Sequence, residues 1–356
     1  MKIKAYLVTL IFLVITLLIS FIAAGCAETS SSTTTSSTTT ATSTPVQAVT
    51  IKLASGLPPV DPVVTKAQEL AERFNKRVNG RYIIEVYPGG MLATMEEEME
   101  MLRTGAIQMA EFPIEYLSGS DIRFSAVTLP FLINSLEANV EFLKNINESL
   151  FSDILATKFN AKPLVAWTTG IHEYCGAKKP VKTLQDWKGL LIWVANPAEA
   201  QTVEAFGASP VSLPFFDGYP ALQKGTVDAG VGLNPTGVWN FKWYDAIRYI
   251  TIANTFGTSG YYDINLDTWN SMPKDVQNVL LDECQRAENE LKTFFSQYAK
   301  DAISNLEKEG VQVYRLPEAE RAKWIEVSKP VLDKFYEQIG AADAQKIKDA
   351  ATKANQ

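Results

Sequence analysis

From Val49 onward, short apolar runs alternate with residues at helical spacing, and that alternation restricts the chain to an α/β fold. Val49 to Ala54 reads as a strand. Val63, Ala67, Leu70, Ala71, Phe74 and Val78 then recur on one helical face, which Asn79-Gly80 ends. Ile83 to Val86 is a second strand, closed by Pro88-Gly89-Gly90. Thr94 with Glu97 forms a capping box, the acidic run Glu96 to Glu98 suits the positive end of a helix, and Gly105 suits its stop. Ile107 to Ala110 follows as a third strand. Strands separated by helices need crossover connections, so this order predicts a parallel sheet covered by helices.

A second alternating unit comes after a helix read from Ser135 to about Lys158 and a strand from Pro163 to Thr168. Its strands are Leu190 to Val194, Ser209 to Leu213 and Val227 to Val231, with helices at Pro197 to Phe206 and Gly218 to Lys224. Two such units, in a chain of 356 residues with 46% hydrophobic content, predict two lobes with separate cores. Between Pro273 and Gly310, apolar residues from Val276 to Leu306 keep helical spacing over about 36 residues, roughly 54 Å at the usual rise. A helix of that length outruns one small lobe and is expected to span both. Val311 to Tyr314 gives another strand, and helices over Trp324 to Ile339 and Ala342 to Ala354 end the chain.

Ahead of this body, Ala5 to Ala24 carries no charge and follows Lys2 and Lys4, which fits a transmembrane helix or a long signal peptide. The run closes on Ala23-Ala24-Gly25-Cys26, which resembles the lipobox at which bacterial lipoproteins are cleaved and acylated, with Ala23 where Leu is more usual. From Glu28 to Thr44, fifteen of seventeen residues are Ser or Thr. Such a stretch has nothing apolar to bury and is expected to act as a disordered tether. Cys26 is therefore the expected lipid attachment site and the membrane the expected support. The net charge of −7 argues against nucleic acid as a partner. Cys175 and Cys284 could form one disulfide, but two separate buried thiols are expected.

Nothing local points to catalysis. His172, the only histidine, is followed by Glu173 without the second histidine of a zinc-binding helix, and Gly257-Thr258-Ser259-Gly260 lacks the spacing of a nucleophile elbow. No catalytic residue, metal or cofactor is expected. Aromatic residues concentrate from Tyr174 to Tyr262, among them Trp193, Phe215, Trp239, Phe241 and Trp243. Most of these would pack cores, but ligands of open α/β sheets bind beyond the carboxyl ends of strands, so some should line a pocket.

Three segments then carry a family likeness: Leu184-Gln185-Asp186-Trp187-Lys188-Gly189-Leu190-Leu191-Ile192-Trp193-Val194, Phe206-Gly207-Ala208-Ser209-Pro210-Val211, and Tyr219 through Gln223-Lys224-Gly225-Thr226-Val227-Asp228-Ala229. Shorter matches are Val86-Tyr87-Pro88-Gly89-Gly90, Leu129-Pro130-Phe131-Leu132 and Trp269 through Met272-Pro273. In this order they resemble the substrate-binding proteins of tripartite ATP-independent periplasmic (TRAP) transporters, the DctP-like family. The resemblance implies a periplasmic-binding-protein-like fold of two α/β lobes with a long interlobe helix. It also implies a small organic ligand, usually an acid, passed to two membrane subunits; a sensory module or an exported enzyme are the alternatives.

The family's characteristic arginine, which grips the ligand carboxylate with two parallel hydrogen bonds, falls on Trp193, and a second arginine of some members falls on His172. Phe215 matches an aromatic that packs on ligand, and Asn234 matches a family Asn-Pro. Tyr174, Ser55 and Glu111 complete the expected ligand-binding set. With both cationic forks absent, the ligand is expected to be aromatic or weakly charged and stacked between Trp193 and Phe215, unless Arg123, Lys178 or Lys179 reaches in. The expected division is a signal peptide over 1–25, anchor and tether over 26–48, one lobe over 49–169 plus 260–299, and the other over 170–259 plus 300–356.

Overall fold

The computed structural model describes residues 48–356; Cys26, the apolar run before it and the Ser/Thr stretch lie outside the described residues. In chain order the strands are β1 (Val49–Ser55), β2 (Tyr82–Tyr87), β3 (Met109–Pro113), β4 (Ala161–Gly176), β5 (Leu191–Val194), β6 (Ser209–Ser212), β7 (Ala229–Gly230), β8 (Tyr249–Asn265) and β9 (Gln312–Arg315). The helices are α1 (Pro62–Arg77), α2 (Met95–Thr104), α3 (Leu136–Ile146), α4 (Ser152–Phe159), α5 (Leu184–Trp187), α6 (Pro197–Ala205), α7 (Gly218–Lys224), α8 (Pro235–Asn240), α9 (Leu266–Ser271), α10 (Lys274–Lys308), α11 (Glu318–Ile339) and α12 (Ala341–Ala354).

One sheet runs in the order β2-β1-β3-β8-β4-β7-β5-β6, with β9 added to β8. The expected parallel pairing holds within each half, in β1 with β2 and β3, and in β5 with β6 and β7. The halves are joined by β4 and β8, which at 16 and 17 residues are much the longest strands and run antiparallel. Their amino- and carboxyl-terminal portions, Ala161 to Trp167 and Gly260 to Asn265, belong to the first half; Gly170 to Gly176 pairs with Tyr249 to Thr258 in the second. Register shifts fall between Trp167 and Gly170 and between His172 and Tyr174, at the passage from one half to the other. Gly170 has φ +144°, a backbone that an L side chain rarely adopts, and it packs on the Asn234 side chain.

Each half has its own apolar core. In the first, Leu53, Phe74, Tyr262 and Leu280 join β1, α1, β8 and α10, while Phe112, Phe124 and Phe142 fill the opposite face. In the second, Trp187, Phe206 and Trp324 pack together on one face and Trp193, Leu222 and Trp243 on the other. Burying side chains of this size contributes roughly 1.5–3 kcal/mol each. The result is the two-lobed periplasmic-binding-protein architecture.

Helix α10 is 35 residues long. Leu280, Ala287, Leu291 and Phe295 enter the first lobe's core and Leu306 the second's, so the helix serves both. It is fixed to α1 by a fork: Arg73 Nε donates to Glu283 Oε2 at 2.7 Å and Arg77 Nη1 to Oε1 at 2.8 Å. The capping box at Thr94 and Glu97 forms as the sequence implies. Helix α12 places Ile347, Ala350 and Ala351 against Phe142 and Leu143 of α3 in the first lobe, whereas the sequence groups it with the second. Both described cysteines are free and buried.

Candidate functional site

The two lobes enclose a cavity where β4 and β8 pass between them. Trp167, Thr169 and His172 come from β4 and Thr258 from β8. The first lobe adds Leu57, Asp61 and Met95, then Pro113, Glu115 and Tyr116 at the end of β3. The second adds Ala195 after β5, Phe215 after β6, Leu233 and Asn234 after β7, and Asn240 and Phe241 at the end of α8. Most of these follow the carboxyl ends of strands, the position that open α/β sheets use for ligands.

Local rules put the polar groups there. Asp61 is the N-cap of α1: its Oδ1 accepts from Val63 N at 2.9 Å, and Pro62 opens the helix. Asn234 likewise caps α8, its Oδ1 accepting from Gly237 N at 2.8 Å and its Nδ2 donating to Thr169 Oγ1 at 2.8 Å. The amide thus ties the second lobe to β4.

The charged groups of the cavity are buried and acidic. Thr258 Oγ1 donates to Glu115 Oε1 at 3.1 Å, but Glu115 Oε2 has no hydrogen-bond partner among the described residues. Burial pushes the Glu115 carboxyl up to about 7, against the opposing pull of His172. Burial likewise pushes Asp61 up to about 6, with the Val63 N–H and the Asn240 amide working against it. His172 Nδ1 lies 3.1 Å from Glu199 Oε1, and Glu199 Oε2 accepts from Ala195 N at 2.8 Å. The indole Nε1 of Trp167 is buried without an acceptor among the described residues.

Of the residues singled out in the sequence, His172, Phe215 and Asn234 line the cavity, and Trp193, Tyr174, Ser55 and Glu111 do not. Trp193 is 0% exposed. Its Nε1 donates to Leu213 O at 3.1 Å, and its ring lies against Phe215, with centroids 5.8 Å apart, and against Trp243. The stacking expected between Trp193 and Phe215 is therefore protein on protein, and Trp193 backs the pocket wall. Tyr174 is buried beside Trp187 and donates its hydroxyl to Lys179 O at 2.9 Å. Ser55 Oγ donates to Glu111 Oε2 at 2.5 Å in the first lobe's interior, where burial pushes Glu111 up to about 8.

The cationic alternatives do not reach in. Arg123 is held by Asp121 and Asp343, Lys178 by Asp228, and Lys179 does not line the cavity. Among the described residues, no lysine or arginine does. The sequence reading missed Asp61, Glu115, Tyr116, Trp167 and Asn240. Asp61 was marked by its place, a capping residue before proline directly after a strand; Glu115 sits in a short turn with no pattern to single it out.

A cavity shared by two lobes, with the connecting strands in its wall, defines a two-lobed solute-binding protein. The chain belongs to the bacterial extracellular solute-binding proteins, family 7 (DctP), whose sequence profile matches residues 53–339, and so to the extracytoplasmic binding proteins of TRAP transporters. It is 28% identical over 315 residues to the C4-dicarboxylate-binding periplasmic protein DctP of Rhodobacter capsulatus, covering 85% of this chain and 91% of that one. A TRAP periplasmic solute-binding protein from Ochrobactrum anthropi, with a C-terminus bound in its ligand pocket, superposes with a TM-score of 0.78 at 26% identity, over 86% of this chain and 96% of that chain. One from Shewanella oneidensis with bound succinate has a TM-score of 0.79 at 23% identity, over 87% of this chain and 100% of that chain, a likeness of fold.

Proposed function

We propose that this protein captures a small organic solute in the cavity at the β4–β8 crossing and delivers it unchanged to the membrane subunits of a TRAP-type transporter. The observation that carries the reading is the position of the cavity: both lobes wall it, so the solute can be held only when they close. The relatives named above lend the role. Their carboxylate ligands do not carry over with it, because no guanidinium or ammonium among the described residues lines this cavity. The solute proposed is less acidic than a dicarboxylate and lies among the rings of Tyr116, Trp167, Phe215 and Phe241. We assign residues 49–169 with 260–299 to one lobe and 170–259 to the other, and Cys26 to a lipid anchor that keeps the protein at the membrane.

The test is to purify the body from Val49, release its bound small molecule and identify it by mass spectrometry, then supply it to vesicles bearing the membrane subunits. Protein-dependent accumulation of the unchanged solute is expected; conversion to a product would overturn the assignment. Cys26→Ser is expected to abolish lipid labelling and leave a heavier precursor, and normal processing of that variant would refute the anchor.

A further inference from the structure

The cavity's charge is the reverse of what an organic acid requires. Two carboxyl groups line it, Glu115 from the turn after β3 and Asp61 from the cap of α1, and both are at least 95% buried. The one imidazole of the cavity, His172, sits 3.1 Å from Glu199 and also pulls on Glu115, so it is shared between two acidic groups, and Asp61 has no cationic group acting on it. Glu115 Oε2 is a buried acceptor with no donor among the described residues. Buried carboxylates are retained with a partner or at a cost in stability, and here no lysine or arginine among the described residues lines the cavity. Around them stand aromatic rings, which attract cations through their π faces.

We infer that the solute carries a positively charged ammonium group, which Glu115 and Asp61 receive among the rings of Tyr116, Trp167, Phe215 and Phe241. This rests on the solute-binding reading above and names the charge class of the solute. A carboxylate would enter against two like charges, whereas an ammonium supplies the donors and the countercharge that Glu115 lacks. The arrangement also fixes how binding responds to pH. Glu115 faces His172, Glu199 beyond it, Tyr116 and Thr258; Asp61 faces Glu111, Tyr262, Tyr298 and Asn240. None of these neighbours is a lysine or arginine. Both carboxyls titrate above the usual carboxylate range, at about 7 and about 6, so an ammonium gains affinity as pH rises from 5 to 8. An anion that accepts hydrogen bonds from the protonated carboxyls loses affinity over the same interval.

The experiment is titration calorimetry of the body from Val49 with three sets of probes: tetramethylammonium, choline and 1,4-diaminobutane; succinate and glucuronate; and uncharged sugars. At least one ammonium probe is expected to bind, at least tenfold more tightly at pH 8 than at pH 5, and to lose at least tenfold in Glu115→Gln and in Asp61→Asn. Thermal unfolding of each variant shows whether it is folded, and either one suffices. Binding confined to the carboxylate or sugar set, or ammonium binding indifferent to pH and to both folded variants, would overturn the inference and leave the solute-binding reading intact. Silence from all three sets would overturn the inference, while the solute-binding reading stands or falls on the molecule that co-purifies.

Discussion

Glu115 makes one hydrogen bond from a threonine hydroxyl and leaves its other oxygen without a donor, so its ionised form strains the empty protein. Replacing it by glutamine keeps the shape and removes the charge. Glu115→Gln is therefore expected to raise the unfolding free energy of the empty protein by on the order of 2 kcal/mol at pH 8, checked by urea unfolding. The same physics sets the pH profile. Glu111, Glu173 and Asp263 are pushed up to about 8 by burial, and Glu115 and Asp61 to about 7 and about 6. The folded chain thus keeps protons that the unfolded chain has already lost. The stability these groups contribute is whole below the ordinary carboxylate range and disappears as pH rises through their folded values. Stability of the empty protein is expected to fall from pH 5 to pH 8, less steeply in Glu115→Gln. Asp121, held low by Arg123 and Lys158, acts in the opposite sense only at more acid pH.

Elements transmit what single residues fix. Gly230 on β7 lies under the Trp193 ring, where a Cβ would stand 2.5 Å from Cε3, and Trp193 in turn supports Phe215 in the cavity wall. Gly230→Ala is expected to destabilise the protein by about 1–3 kcal/mol and to disturb the wall; Gly119→Ala, with open space around its Cβ, is the neutral control in the same urea series. Helix α10 and the α2 cap were legible in the sequence because periodicity and capping are local. The long strands were not. β4 reads as ending at Thr168 because Thr169 and Gly170 interrupt its apolar run, and β8 contains Gly257, Thr258, Ser259 and Gly260, a composition that reads as a loop. Small residues are needed there because the neighbours come close: a Cβ on Gly260 would stand 2.1 Å from the Trp167 ring. Site polarity was hidden for a related reason. Trp193 stands where the resemblance implies a charge, but burial by Gly218, Gly230 and Phe215 is a tertiary fact with no trace in spacing.

At the scale of the molecule, closing the lobes on a solute should shrink the particle. Small-angle scattering is expected to show a smaller radius of gyration when a saturating solute is added, and an unchanged radius would speak against a closing trap. Contacts between the lobes, such as Thr128 Oγ1 donating to Asn196 Oδ1 at 3.3 Å, are expected to break when the lobes part. Thr169, His172 and Thr258 stand on the two strands that both lobes share. On the function proposed above, the solute would rest against the axle of the trap with a jaw on either side. Turning the jaws apart would withdraw Asp61 and Glu115 on one side and Phe215 and Phe241 on the other in a single movement, leaving only the groups of the axle in contact with the solute. Capture and surrender would then be one all-or-none event, and a membrane partner that pried the jaws apart would empty the site without competing for any group in it.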